Sequence, residues 1–110
     1  MSARAVIAAV EMNKTEEKYA WVLQGRKHSG EIQRYEFEKI TLKIGDDCRY
    51  TPDFFVVNAL GEVEFHEVKG TFIRDDAQVK IKVAAEMFPF RFFLAKYDRN
   101  GWDVKEIRRA

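Results

Sequence analysis

The sequence predicts an α/β (α+β) domain in which a sheet is flanked by helices, in the order helix, three strands, helix, strand. Two observations carry this prediction. Apolar residues recur at helical spacing in two separate stretches, one before Gly25 and one from Asp75 to Met87. Between and after these stretches run segments rich in β-branched and aromatic residues, bounded by Gly, Asp and Asn turns.

Residues 1–12 read as a loose N-terminal arm and 13–110 as a single domain, since 110 residues are enough for one core and too few for two. Asn13 or Thr15 can cap the first helix, with Glu16 and Glu17 in its first turn, where the helix dipole favours carboxylates. Tyr19, Ala20 and Leu23 follow Glu16 at three, four and seven residues and draw the apolar face, so Glu16 is expected to point inward. The helix should end near Gly25. A long strand is expected from about Ile32 to Ile44, with a bulge or bend near Glu38 and Lys39, where the apolar residues change parity. Strands at about Tyr50 to Asn58 and Glu62 to Lys69 are linked so briefly that they must form an antiparallel hairpin. The second helix carries Ala77, Ile81, Ala84, Ala85 and Phe88 on its apolar side and stops before Pro89. Phe90 to Tyr97 reads as a buried strand, and Asn100-Gly101 as a tight turn into a last strand or tail from Trp102.

Composition narrows the chemistry. Hydrophobic residues are 46% and charged residues 34% of the chain, a balance that suits a globular protein rather than a disordered one. The apolar run Ala5 to Val10 is far shorter than the roughly 20 residues of a spanning helix and lacks a signal-peptide layout, so no membrane association and a cytoplasmic setting are expected. One cysteine, Cys48, with His28 and His66 is a poor supply of soft ligands, so any metal should be held by oxygen. Net charge is only +1, but local clusters stand out: Arg26, Lys27 and His28; Lys80 and Lys82; and Lys105, Arg108 and Arg109. Each cluster reads either as a phosphate contact or as a solvated face, and Lys80 and Lys82 also suit helix ion pairs with Asp76 and Glu86.

The hairpin is where the chemistry concentrates. With Ala59, Leu60 and Gly61 as a three-residue loop and Gly61 left-handed, Asn58 faces Glu62 and, further down the ladder, Asp53 faces Glu67. Alternation puts Lys69 on the same face, about 6.6 Å from Glu67 along the strand. Phe55, Val57, Val63 and Phe65 complete that face, while Glu64 and His66 fall on a reverse face expected to be wetter, with His66 exposed. Two opposed carboxylates beside apolar walls repel each other and lose hydration, a costly arrangement that a hard cation such as Mg²⁺ relieves. Glu16, or Glu17 in its place, can add an oxygen from the first helix. Lys69 can orient an attacking water, help remove its proton and offset charge growing on phosphorus.

The strings TPDFF, from Thr51 to Phe55, and HEVKG, from His66 to Gly70, resemble the paired motifs of the PD-(D/E)XK nuclease superfamily. Asp53, Glu67 and Lys69 match that family's metal ligands and catalytic lysine, and Val68 matches the position whose main-chain carbonyl often joins the metal shell. The element order is similar to the family's restriction-endonuclease-like αβββαβ core with a mixed central sheet. NKTEEKYAWVL and DDAQVKIKVAAEMFP look like segments of small phage-type endonucleases related to Holliday junction resolvases, in which Glu16 is placed like their helix-borne acid. The QxxxY signature of exonuclease-like relatives is absent. The resemblance implies a Mg²⁺- or Mn²⁺-dependent deoxyribonuclease acting in a phage or bacterial host cell. It further implies cleavage of branched DNA to 5′-phosphate and 3′-hydroxyl ends, by a homodimer that makes two symmetric cuts. Lys80, Lys82, Arg26 and Lys27 become candidate nucleic-acid contacts, and Ala5 to Val10 or the Phe-rich strand a candidate dimer contact. The rival readings are a non-cleaving nucleic-acid-binding module of the same fold and a nicking or exonucleolytic repair-type nuclease.

Overall fold

The computed structural model describes residues 12–70 and 75–109; the run from Ala5 to Val10 lies outside them. The first helix, α1 (Lys14–His28), begins at Asn13 through a reciprocal cap. The Asn13 side chain accepts the Glu16 N–H at 2.8 Å, and Glu16 Oε1 accepts the Asn13 N–H at 2.9 Å. The helix runs one turn past Gly25, ending in Arg26, Lys27 and His28, cations favoured at its negative C-terminus.

Strands β1 (Ile32–Phe37), β2 (Leu42–Gly45), β3 (Cys48–Tyr50), β4 (Phe54–Asn58) and β5 (Val63–Lys69) precede the second helix, α2 (Asp75–Met87), and β6 (Arg91–Asp98) and β7 (Gly101–Ile107) follow it. They form a five-stranded sheet in the order β1-β4-β5-β6-β7 and a separate two-stranded sheet of β2 and β3. Neighbours in the large sheet are antiparallel except β5 and β6, which are parallel and joined through α2, as parallel neighbours require. Among the described residues the fold is therefore α+β, with a mixed sheet and two helices.

The expected long strand from Ile32 to Ile44 is broken. The bend falls where the parity changed, at Glu38, which takes a left-handed φ of 46°. Instead of bulging and continuing, the chain leaves the large sheet there and builds the β2–β3 hairpin before returning at Phe54. Tyr50 accordingly belongs to β3, and Thr51, Pro52 and Asp53 link it to β4. Pro52, with no N–H to give a ladder, fits that link.

Each face of the large sheet carries its own core. Tyr19 and Leu23 of α1 pack with Ile32, Phe54, Val56 and Ala95 on one side. Ile81, Ala84 and Ala85 of α2 pack with Leu42, Tyr50, Phe65 and Phe92 on the other. Burying a large apolar side chain stabilises by about 2 to 3 kcal/mol, so these two layers hold both helices against the sheet.

The reverse face of the hairpin, expected to be wet, is one of these cores. His66 is only 1% exposed and Glu64 5%. They are tolerated there because each is paired: Tyr19 Oη lies 2.6 Å from His66 Nδ1, His66 Nε2 lies 2.9 Å from Glu64 Oε1, and Asn58 Nδ2 donates to Glu64 Oε2 at 3.0 Å. Burial holds the His66 imidazole below its ordinary range, which keeps it neutral with one nitrogen donating and one accepting. His66 is a satisfied core residue.

Candidate active site

The hairpin register follows the sequence pattern: Val57 faces Val63, Val56 faces Glu64, Phe55 faces Phe65 and Phe54 faces His66. Gly61 is left-handed, with φ of 84°, and the Asn58 N–H donates to the Glu62 carbonyl at 3.0 Å, closing the three-residue loop. One step beyond the last pair, Asp53 meets the Glu67 end of β5, and Asp53 Oδ2 accepts the Val68 N–H at 2.8 Å. The parity that sends Phe54 and Val56 under α1 turns Asp53 and Glu67 to the other side.

Asp53, Glu67, Val68 and Lys69 line an open cleft of about 660 Å³. Glu16 enters the same cleft from the first turn of α1, where the cap fixes its backbone and one of its oxygens. Glu17 points away, into a second hollow of about 540 Å³ beside Trp21 and Tyr35, so α1 offers Glu16 to the site. Thr15 also lines the cleft and closes on Gly70, where an added Cβ would lie 3.3 Å from the threonine hydroxyl.

The electrostatics are those of acids held too close. Burial, then the neighbouring Glu67 charge, and also Glu16, push the Asp53 carboxyl up to about 9, against the pull of the Val68 N–H. Burial also raises Glu67, although hydrogen bonds from the Tyr50 hydroxyl, the Asp53 N–H and the Asp53 side chain oppose that rise. At neutral pH and without a cation, Asp53 and Glu67 are both raised and hold a proton between them. Tyr50 Oη donates to Glu67 Oε1 at 2.6 Å. Burial and the Glu67 charge raise the Tyr50 phenol further, so it stays protonated and remains a donor.

This donor set suits a hard cation in place of the shared proton, because the acids and Tyr50 offer only oxygen. Among the described residues no three His, Cys, Asp or Glu side chains form a ready-made metal cluster. The acids bond instead to one another, to Asn13 and to Tyr50. An ion that takes one or two carboxylates and keeps its waters fits such a site better than one needing a closed cage.

The cationic candidates separate. Lys80 lines the cleft and donates to the Arg49 carbonyl at 3.0 Å. Lys82 is exposed on α2 and is not among the cleft residues. Arg26 and Lys27 stand at the far end of α1, about 15 Å along the axis from Glu16, and Arg26 pairs with Glu31 at 3.0 Å. Sequence reasoning missed Tyr50 and Arg49 at the site, because both were assigned to a continuous strand or its entry rather than to a hairpin folded over the cleft.

No helix among the described residues is long and apolar enough to cross a membrane. Comparison of the chain with protein-family models, curated proteins and solved structures gives no match.

Proposed function

We propose that the chain is a divalent-metal-dependent nuclease of the PD-(D/E)XK type, hydrolysing DNA phosphodiester bonds and acting on branched DNA as a homodimer. The observation that carries this reading is the convergence of Asp53, Glu67 and Glu16 with Lys69 in one cleft, from three separate segments of the chain. Supporting it is the sequence of elements in the large sheet: α1, three antiparallel strands β1, β4 and β5, then α2 and a parallel β6. That is the αβββαβ order expected of the superfamily.

Asp53 and Glu67, with the Val68 main chain beside them, would hold a Mg²⁺ or Mn²⁺ ion. The ion would supply positive charge to the scissile phosphate and acidify water for attack. Glu16 adds negative charge at the same place and strengthens the demand for a cation. Tyr50 keeps one Glu67 oxygen engaged and so holds the carboxylate in place. Lys69, on the face of β5 that carries Glu67, orients the attacking water and offsets charge developing on the phosphoryl oxygens.

The test is incubation of wild type and Asp53→Asn with supercoiled plasmid and with a synthetic four-way junction, in Mg²⁺ and in chelator. Wild type cuts in Mg²⁺ alone, the junction faster than linear duplex, and the variant cuts neither substrate. Equal behaviour of the two proteins on every substrate removes the hydrolytic reading and leaves the non-cleaving module.

A further inference from the structure

The β2–β3 hairpin carries a second feature of the cleft, and its meaning rests on the nuclease reading above. Leu42 and Tyr50 are directly opposed and both buried, so the next pair, Lys43 and Arg49, is directly opposed on the outer side, and both residues are exposed. Like charges facing each other across a ladder destabilise it. Among the described residues neither cation has an acid partner. The hairpin's own acids, Asp46 and Asp47, lie in its turn.

Lys80 joins this pair from α2. Its ammonium holds the Arg49 carbonyl at 3.0 Å, which uses one of its three N–H donors and pins the hairpin to the helix. Arg49 and Lys80 both line the acid-containing cleft. A polyanion entering that cleft meets repulsion from Glu16, Asp53 and Glu67, and a net charge of +1 gives the whole molecule almost no field to overcome it. Without a bound metal ion, attraction must then come from cations placed beside the acids. We propose that Lys43, Arg49 and Lys80 form a phosphate track along which the DNA backbone is led to the acidic site. Bound phosphates would relieve the Lys43–Arg49 repulsion that the free protein carries.

Binding of a fluorescently labelled four-way DNA junction, measured in chelator so that nothing is cut, tests the track through its salt dependence. Each lost phosphate contact lowers the slope of log affinity against log salt by about 0.9. Lys43→Ala/Arg49→Ala should therefore flatten the slope by about 2 and weaken binding at low salt. Arg26→Ala/Lys27→Ala, at the far end of α1, should match wild type. Because the first pair of substitutions removes a like-charge contact, its urea midpoint should be no lower than that of wild type, which separates lost binding from lost folding. An unchanged slope, or a wild type that does not bind the junction at all, overturns the track. A flattened slope in a protein that cuts nothing in Mg²⁺ supports the track and rejects hydrolysis, so the two readings fail separately.

Discussion

Replacing Asp53 by Asn should stabilise the metal-free protein at neutral and alkaline pH while removing the cleavage activity proposed for it. Asp53 is 8% exposed, and its folded-state pKa is raised from 3.8 to about 9 by burial, by Glu67 and by Glu16. A carboxyl with a raised pKa binds a proton in the folded state that the unfolded chain has already released. Its contribution is therefore fully present below about pH 4 and is lost as pH climbs to about 9. One such proton changes stability by about 1.4 kcal/mol per pH unit, so wild type should lose about 3 kcal/mol between pH 6.5 and 8.5. His66 works in the opposite sense, because its lowered pKa makes stability rise with pH, but only up to the ordinary value of 6.5. The window above 6.5 leaves the coupled carboxyls Asp53 and Glu67, both raised by burial. The assay is urea denaturation in chelator at several pH values across that window, for wild type and Asp53→Asn. Wild type should fall steadily, and the variant, in which only Glu67 is left to titrate, should fall less steeply. Adding Mg²⁺ should rescue wild type alone, since a bound cation replaces the proton. Parallel curves for the two proteins, or a wild type that gains stability with pH, would refute the account of acids crowded in a dry site.

Two further substitutions probe opposite faces of the same strand. Tyr19→Phe leaves His66 Nδ1 buried without the hydroxyl 2.6 Å away and should cost about 1 to 3 kcal/mol in urea denaturation, with junction cleavage at saturating Mg²⁺ little changed. Lys69→Met should slow junction cleavage by a factor on the order of 10² to 10⁴, while junction affinity changes by only a few-fold, as measured by binding in chelator.

The site hairpin was legible in the sequence because local rules determine it: a three-residue loop ending in Gly61 sets the register, and register with alternation sets which residues share a face. The second helix was equally legible, from Asp75 to Met87, because its apolar spacing and the following Pro89 agree. The break at Glu38 was harder. A parity change signals that the strand must bend, but whether the chain then stays in its sheet depends on what else can cover Phe65 and Ile81, and that is a tertiary question. The β2–β3 hairpin fills that role, and with it came Arg49 and Tyr50. His66 was misread for a related reason: an ionisable residue looks solvent-facing until Tyr19 and Glu64, from 47 residues away and from two, are seen to satisfy both ring nitrogens.

Strand β5 sets structural and functional polarity side by side. It carries Glu64 and His66 on one face and Glu67 and Lys69 on the other, and composition treats the four alike. What separates them is how their polar atoms are completed. Under α1 the set is complementary: a phenol, a neutral imidazole, a carboxylate and an amide join donor to acceptor, and although burial pushes the Glu64 carboxyl up, its hydrogen bonds to His66 and Asn58 outweigh that and hold it below its ordinary range. On the cleft side the set is one-sided: three acids converge, and a phenol, two amide N–H groups and one shared proton leave Asp53 near pH 9 instead of near 4. A fold has no need to keep such an imbalance, since Asn or Gln at either position would pack as well and ionise not at all. Its place in an open cleft of about 660 Å³, rather than in the core, is the physical reason the proposed function gives the deficit to a cation and a substrate.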